Sequence, residues 1–216
     1  MKLYVVSGLG ADFKVLDKLK FPENLEVVFL EWLIPVRNES FQDYIIRMAV
    51  RVDESEPFCL LGYSFGGIVV QEINKLKPAR KTVILASIKS HHEKSRFIKL
   101  GERTGLPKYL PERIFTTKSA LAYSFVRKFF DPQNPRLMQY FNVREPYYLK
   151  WCIEKISGWK FEECPDVVQI MGDRDIVFPI KYSKPDYIIK NGTHLFPATK
   201  PRETSEILAK VFCELA

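Results

Sequence analysis

The sequence predicts an α/β fold: a mostly or wholly parallel, six-stranded, doubly wound sheet carrying one helical insertion. Three observations predict it. Six short, nearly continuous apolar runs occur at 3–6, 25–30, 58–61, 82–88, 167–171 and 187–189. Unbroken runs, as opposed to strict alternation, mark strands buried on both faces of a parallel sheet. Amphipathic helical patterns separate most of these runs, and that alternation implies parallel strands joined by right-handed crossovers. Residues 89–160 break the rhythm, with helical patterns and prolines at 107, 111, 132, 135 and 146 but no clear strand. The expected division is therefore a core of 1–88 and 161–216, with 89–160 inserted as a helical cap between the fourth and fifth strands.

The elements follow in order. After the first two strands, Ser40 is placed to cap a helix running through Val52, with Phe41, Tyr44, Ile45, Met48 and Val52 on one face. The third strand runs straight into a helix that begins at Ser64, continues over 68–76 and is stopped by Pro78. Within the insertion, 119–130 and 146–156 read as helices. Beyond the last strand Pro201 suits a first helical turn, and Ile207, Leu208, Val211, Phe212 and Leu215 form the buried stripe of a C-terminal helix.

Composition bounds the function. The chain has 216 residues, 46% hydrophobic and 27% charged, which is ordinary for a globular protein. Folding at this size buries roughly 70% of the unfolded surface, enough for one core without disulfides or metals. No apolar run approaches the roughly 20 residues a membrane span needs, and residues 1–8 are apolar too briefly for a signal peptide. Cys59, Cys152, Cys164 and Cys213 form no CxxC pair, so a reducing, cytoplasmic setting is expected. The net charge of +7 is concentrated: residues 89–160 carry 15 Lys/Arg against 6 Asp/Glu. No basic run there resembles a nucleic-acid arm, and cations at helical spacing are expected on solvated faces.

The chemistry centres on Gly62-Tyr63-Ser64-Phe65-Gly66. Chance yields GxSxG in on the order of 7% of chains this size, so the flanking strand and helix carry the inference. In a sharp strand–turn–helix elbow the positions two before and two after the serine nearly touch, which only glycine permits. The serine then projects at a helix N-terminus, whose dipole favours a developing anion.

A serine hydroxyl needs a base, and the base needs an orienting acid. Of three histidines, His91 and His92 are adjacent at the exit of the fourth strand. His194 follows the last strand in Asn191-Gly192-Thr193-His194, at the same sheet edge as Ser64, and is the better base. Gly172-Asp173-Arg174-Asp175 follows the fifth strand and offers two carboxylates. Asp175 is far enough from the strand end to swing towards a histidine in the next loop, whereas Asp173 suits a turn cap or a pair with Arg174.

The chain resembles the α/β-hydrolase superfamily over essentially its whole length. Three separated motifs carry the resemblance: Gly62 to Gly66, Gly172 to Pro179, and Gly192-Thr193-His194, in the order Ser, Asp, His. In that family the acid usually falls three residues after the glycine, which matches Asp175. The family's oxyanion hole implies the backbone amides of Phe65 and of Leu9, in Ser7-Gly8-Leu9-Gly10. Ser7-Gly8 stands where the family commonly has His-Gly. The loop begins at residue 7, so the family's two leading strands are absent and a trimmed, all-parallel version is implied.

The resemblance implies a serine hydrolase cleaving a small carboxylic ester or thioester through an acyl-enzyme, with Ser64, His194 and Asp175 as its triad and no cofactor. Two alternatives stay open: an acyltransferase or carrier thioesterase on the same triad, and a hydrolase-fold receptor with little turnover. The partner is a small acyl substrate, with an anionic one favoured by the basic insertion; the oligomeric state is left open. No metal is expected, because His91 and His92 with Glu93 would point to opposite sides of an extended segment. Phe125, Phe129, Tyr147, Tyr148 and Trp151 are candidates to line an acyl pocket, although helical core packing is their commoner fate.

Overall fold

A computed structural model describes residues 1–114, 145–162, 164 and 166–213. Six parallel strands form one sheet: β1 (Lys2–Val6), β2 (Glu26–Phe29), β3 (Phe58–Tyr63), β4 (Lys81–Leu85), β5 (Val167–Gly172) and β6 (Tyr187–Ile189). Their order is β2-β1-β3-β4-β5-β6, and every pairing is parallel. The chain thus winds outward from β1 to β2, then returns to β3 and proceeds the other way. Loops leaving β1 and β3 diverge at this switch point, where open parallel sheets form their crevices.

Side chains of successive strand residues go to opposite faces, and each face has its own core. Tyr4, Val6, Phe58 and Leu60 pack under α1 (Phe41–Ala49) and α2 (Phe65–Leu76). Leu3, Val5, Cys59 and Leu61 pack with Leu208, Val211 and Phe212 of the C-terminal helix, Pro201–Cys213. Ser40 caps α1 as predicted, accepting from the Asp43 amide at 3.0 Å. That helix ends at Ala49, and Val52 is buried from the turn beyond it.

Two strands differ most from the sequence reading. The apolar run at 82–88 leaves the sheet at Leu85, because Ala86 adopts φ +47°. Strand β2 is half-exposed where both faces were expected to be covered. It is an edge strand, and Phe29 packs its ring 4.3 Å from that of Phe13.

Between β4 and β5 the chain forms α3 (Arg96–Thr104), α4 (Leu106–Tyr109) and α5 (Pro146–Gly158). The predicted helix at 119–130, with Phe125 and Phe129, lies outside the described residues. Lys94, wholly buried, ties this segment together by donating to Glu102 Oε2 at 2.8 Å and to the Ser157 carbonyl at 2.6 Å. Burial pulls its pKa below the ordinary lysine value, while Glu102 opposes that shift. Arg96, Lys99, Arg103, Lys108 and Arg113 are exposed, the solvated placement their spacing suggested. No helix among the described residues is long and apolar enough to cross a membrane, and the four cysteines are free.

Candidate active site

Ser64 sits between β3 and α2 with φ +53° and ψ −119°, a region that costs a non-glycine residue on the order of 1–3 kcal/mol. The turn is held by the Ser64 amide on the Leu85 carbonyl (2.8 Å) and the Gly67 amide on the Ser64 carbonyl (2.9 Å). Its tightness is visible at the glycines. A Cβ at Gly62 would lie 2.3 Å from the Gly66 carbonyl oxygen, and one at Gly66 would lie 2.3 Å from the carbonyl oxygens of Val6 and Ser7. The second contact shows that the elbow is also wedged against β1.

His194 is 7% exposed and joins the other two residues of the predicted set. Its Nε2 lies 2.8 Å from Ser64 Oγ, and its Nδ1 lies 2.7 Å from Asp175 Oδ2. A carboxylate oxygen only accepts, so the Nδ1 proton points at Asp175 and Nε2 turns its lone pair to the serine. Asp175 is itself fixed, because its Oδ1 accepts from the amides of Val177 (2.8 Å) and Phe178 (3.1 Å). Asp173 is exposed; its amide donates to the Ile189 carbonyl at 3.2 Å. The structure therefore brings Asp175 to His194, as the spacing suggested.

The two loops that bring acid and base together are locked to each other. The Arg174 amide donates to the Gly192 carbonyl at 2.9 Å, and a Cβ at Gly172 would meet that same oxygen at 2.2 Å. The imidazole lies against the rings of Tyr63 and Phe178, with centroids at 5.7 and 5.8 Å. Tyr63 adds a hydrogen bond from its hydroxyl to the His194 carbonyl (3.0 Å). Tyr63 and Phe178 stand inside the motifs, but their support of the histidine depends on ring direction, which motif spacing does not encode.

The loop after β1 contains the second predicted amide donor, Leu9. The Trp32 indole donates to the Gly8 carbonyl at 2.8 Å. Gly8 C=O and Leu9 N–H belong to one planar trans peptide, so holding the oxygen on one side holds the amide on the other. The Gly10 amide donates to the Tyr148 hydroxyl at 3.3 Å, and the Ser7 hydroxyl donates to the Asp12 carbonyl at 3.1 Å. Trp32, which stacks on Phe65 with centroids 5.3 Å apart, thus touches both predicted donor positions. Sequence reasoning missed Trp32 and the loop contact of Tyr148. The available signal was a large aromatic just beyond the strand that neighbours β1.

The remaining candidates fall elsewhere. Tyr147 and Trp151 tether α5 to the loop before α1: Tyr147 Oη donates to the Val36 carbonyl (2.9 Å) and Trp151 Nε1 to the Glu39 carbonyl (3.1 Å). With Arg37, Lys150 and Lys155 they line a polar surface cleft of about 400 Å³ that Ser64 and His194 do not border. His91 and His92 occupy a short 3₁₀ turn, His91–Glu93. The expectation that their rings diverge does not hold, since turn geometry brings the centroids to 3.9 Å. Glu93 is buried and accepts from the Lys89 amide and Gln169 Nε2, both at 2.8 Å.

The arrangement matches solved structures over nearly the entire chain. A lipase-esterase related protein from Clostridium acetobutylicum is 17% identical, with 97% of this chain and 93% of that chain covered and a TM-score of 0.64. The chain has the α/β-hydrolase fold. The type II thioesterase YbtT of the yersiniabactin pathway gives 15% identity, 99% and 93% coverage and a TM-score of 0.64. A thermophilic esterase from Thermogutta terrifontis gives 12%, 100% and 90%, again with a TM-score of 0.64. No protein-family model matches the sequence, and no curated protein matches it by sequence comparison. At these identities the likeness establishes the α/β-hydrolase fold, in a form whose sheet is six-stranded and all parallel.

Proposed function

We propose that this α/β-hydrolase-fold chain is a serine hydrolase that cleaves a small carboxylic ester or thioester through an acyl-enzyme. The observation that carries the proposal is His194 bridging Ser64 and Asp175 at 2.8 and 2.7 Å. His194 Nε2 takes the proton from Ser64 Oγ as that oxygen attacks the acyl carbonyl. Asp175 keeps the imidazole in the required tautomer and offsets the positive charge it gains. The carbonyl oxygen, now an anion, is received by the amides of Leu9 and Phe65. In other hydrolases removing one such donor costs roughly 3–4 kcal/mol of transition-state stabilisation.

When the tetrahedral intermediate collapses, His194 returns the proton to the departing alkoxide or thiolate. Water then enters, gives its proton to the same nitrogen and attacks the acyl-serine carbonyl; collapse releases the carboxylic acid and restores Ser64. Apart from the substrate and water, these steps use only the chain's own groups.

A carrier-bound acyl thioester is the second reading, with water or another nucleophile as acceptor. Exposed cations such as Arg96, Lys99, Arg103, Lys108 and Arg113 favour it, since they suit an anionic carrier better than a neutral ester. The likeness to a type II thioesterase points the same way. The experiment is a panel of p-nitrophenyl esters of graded acyl length set beside the matching acyl thioesters, each with and without an added acyl acceptor. Hydrolysis in water supports the main reading. Product formed only when acceptor is present supports acyl transfer, and unchanged ligand after long incubation supports a receptor.

A further inference from the structure

Outside the candidate active site, His91, His92 and Glu162 each present one ligand atom, and these atoms lie within 4.8 Å of one another. Glu162 approaches His91 Nδ1 and His92 Nε2, each at 3.8 Å. Tetrahedral zinc with bonds near 2.0–2.1 Å places its ligand atoms about 3.3 Å apart. The side chains of His92 and Glu162 are 71% and 82% exposed, so both can rotate to bring Nε2 of His92 and the Glu162 carboxylate round from the Nδ1 side to the Nε2 edge of the His91 ring.

His91 is already oriented. Its amide and its Nδ1 both meet the Phe161 carbonyl, at 3.2 and 2.8 Å. A carbonyl only accepts, so Nδ1 carries the proton and Nε2 keeps the free lone pair. A backbone carbonyl behind the imidazole is the support that metal-binding histidines generally have. Phe161 is steadied in turn by stacking on Trp159 at 4.9 Å and by Lys75, 3.7 Å above its ring.

We infer that His91, His92 and Glu162 form a binding site for a borderline divalent cation of the zinc class. Two imidazoles and one carboxylate suit zinc, nickel or copper and disfavour magnesium or calcium, which prefer all-oxygen shells. Three protein ligands leave the remaining position to water. The site has a definite place in the chain. His91 and His92 follow β4 where the helical insertion begins, and Glu162 lies where the chain returns towards β5. A bound ion would join the two ends of the insertion at its base, adding to the hydrogen bonds between His91 and Phe161.

The test is isothermal titration of the full chain with zinc chloride, paired with thermal unfolding in excess zinc. The expected result is one ion per chain and a raised Tm, because the ion binds only the folded pair of segments. His92→Ala and Glu162→Gln should each weaken binding tenfold or more and lose most of the Tm rise. Both side chains are exposed, so these variants should fold normally. Cys213→Ser, which removes the exposed thiol, should bind zinc as the parent does. A silent titration would overturn the inference. So would an affinity unmoved by both ligand substitutions, or one lost with Cys213.

Discussion

Trp32 donates its indole N–H to the carbonyl oxygen of Gly8 across 2.8 Å. The bond fixes the peptide that ends in the Leu9 amide. Trp32→Phe keeps the stack on Phe65 and removes only the donor. We expect kcat to fall roughly 10- to 100-fold, the scale of a small misplacement of a catalytic group, while KM changes little. Steady-state kinetics check it. A raised KM with unchanged kcat would mean that Trp32 serves ground-state binding instead.

Asp175 and Asp173 are two residues apart, yet only Asp175 reaches His194. Asp175→Asn should lower kcat by about 10⁴-fold through the wrong imidazole tautomer. Asp173→Asn, at an exposed turn, should cost roughly tenfold or less through local turn bonds. The reverse ranking in the same assay would move the acid to Asp173.

The elbow is also a packing constraint. A Cβ at Gly62 would sit 2.3 Å from the Gly66 carbonyl oxygen and 2.5 Å from Gly67 Cα; both atoms are backbone and cannot rotate aside. Gly62→Ala should therefore lose about 3 kcal/mol or more of stability, read as a lower urea midpoint. An unchanged midpoint would show that the turn can relax.

How far the sequence disclosed this depends on what each feature rests upon. All six strands were legible as short apolar runs, most clearly the central ones buried on two faces; their ends moved, as at Ala86 and along the half-exposed edge strand β2. Ser64, Asp175 and His194 were legible because each follows a strand at one sheet edge, where sequence order fixes spatial meeting. The anchoring of Gly8 and Gly10 was not. Its partners are 24 and 138 residues away, and nothing in spacing links an indole or a phenol to a distant loop. The close pair His91–His92 was misread for a local reason: an extended segment was assumed where the chain makes a 3₁₀ turn.

The cations between β4 and β5 offer a functional test. If Arg96, Lys99, Arg103, Lys108 and Arg113 steer an anionic substrate, kcat/KM for an acyl-CoA thioester should fall with added salt. The Debye length is about 8 Å at 0.15 M, so the effect should weaken markedly by roughly 0.5 M. A neutral ester of the same acyl group should change little. Parallel salt profiles would show that these charges face away from the path of the substrate.

We expect Ser64 to be the nucleophile, activated by His194. Labelling with a fluorophosphonate, followed by intact mass measurement and peptide mapping, tests it most directly. One adduct per chain is expected, located on Ser64, absent from Ser64→Ala and formed far more slowly in His194→Ala. Undiminished labelling of Ser64→Ala, or an adduct mapped to another residue, would contradict the account.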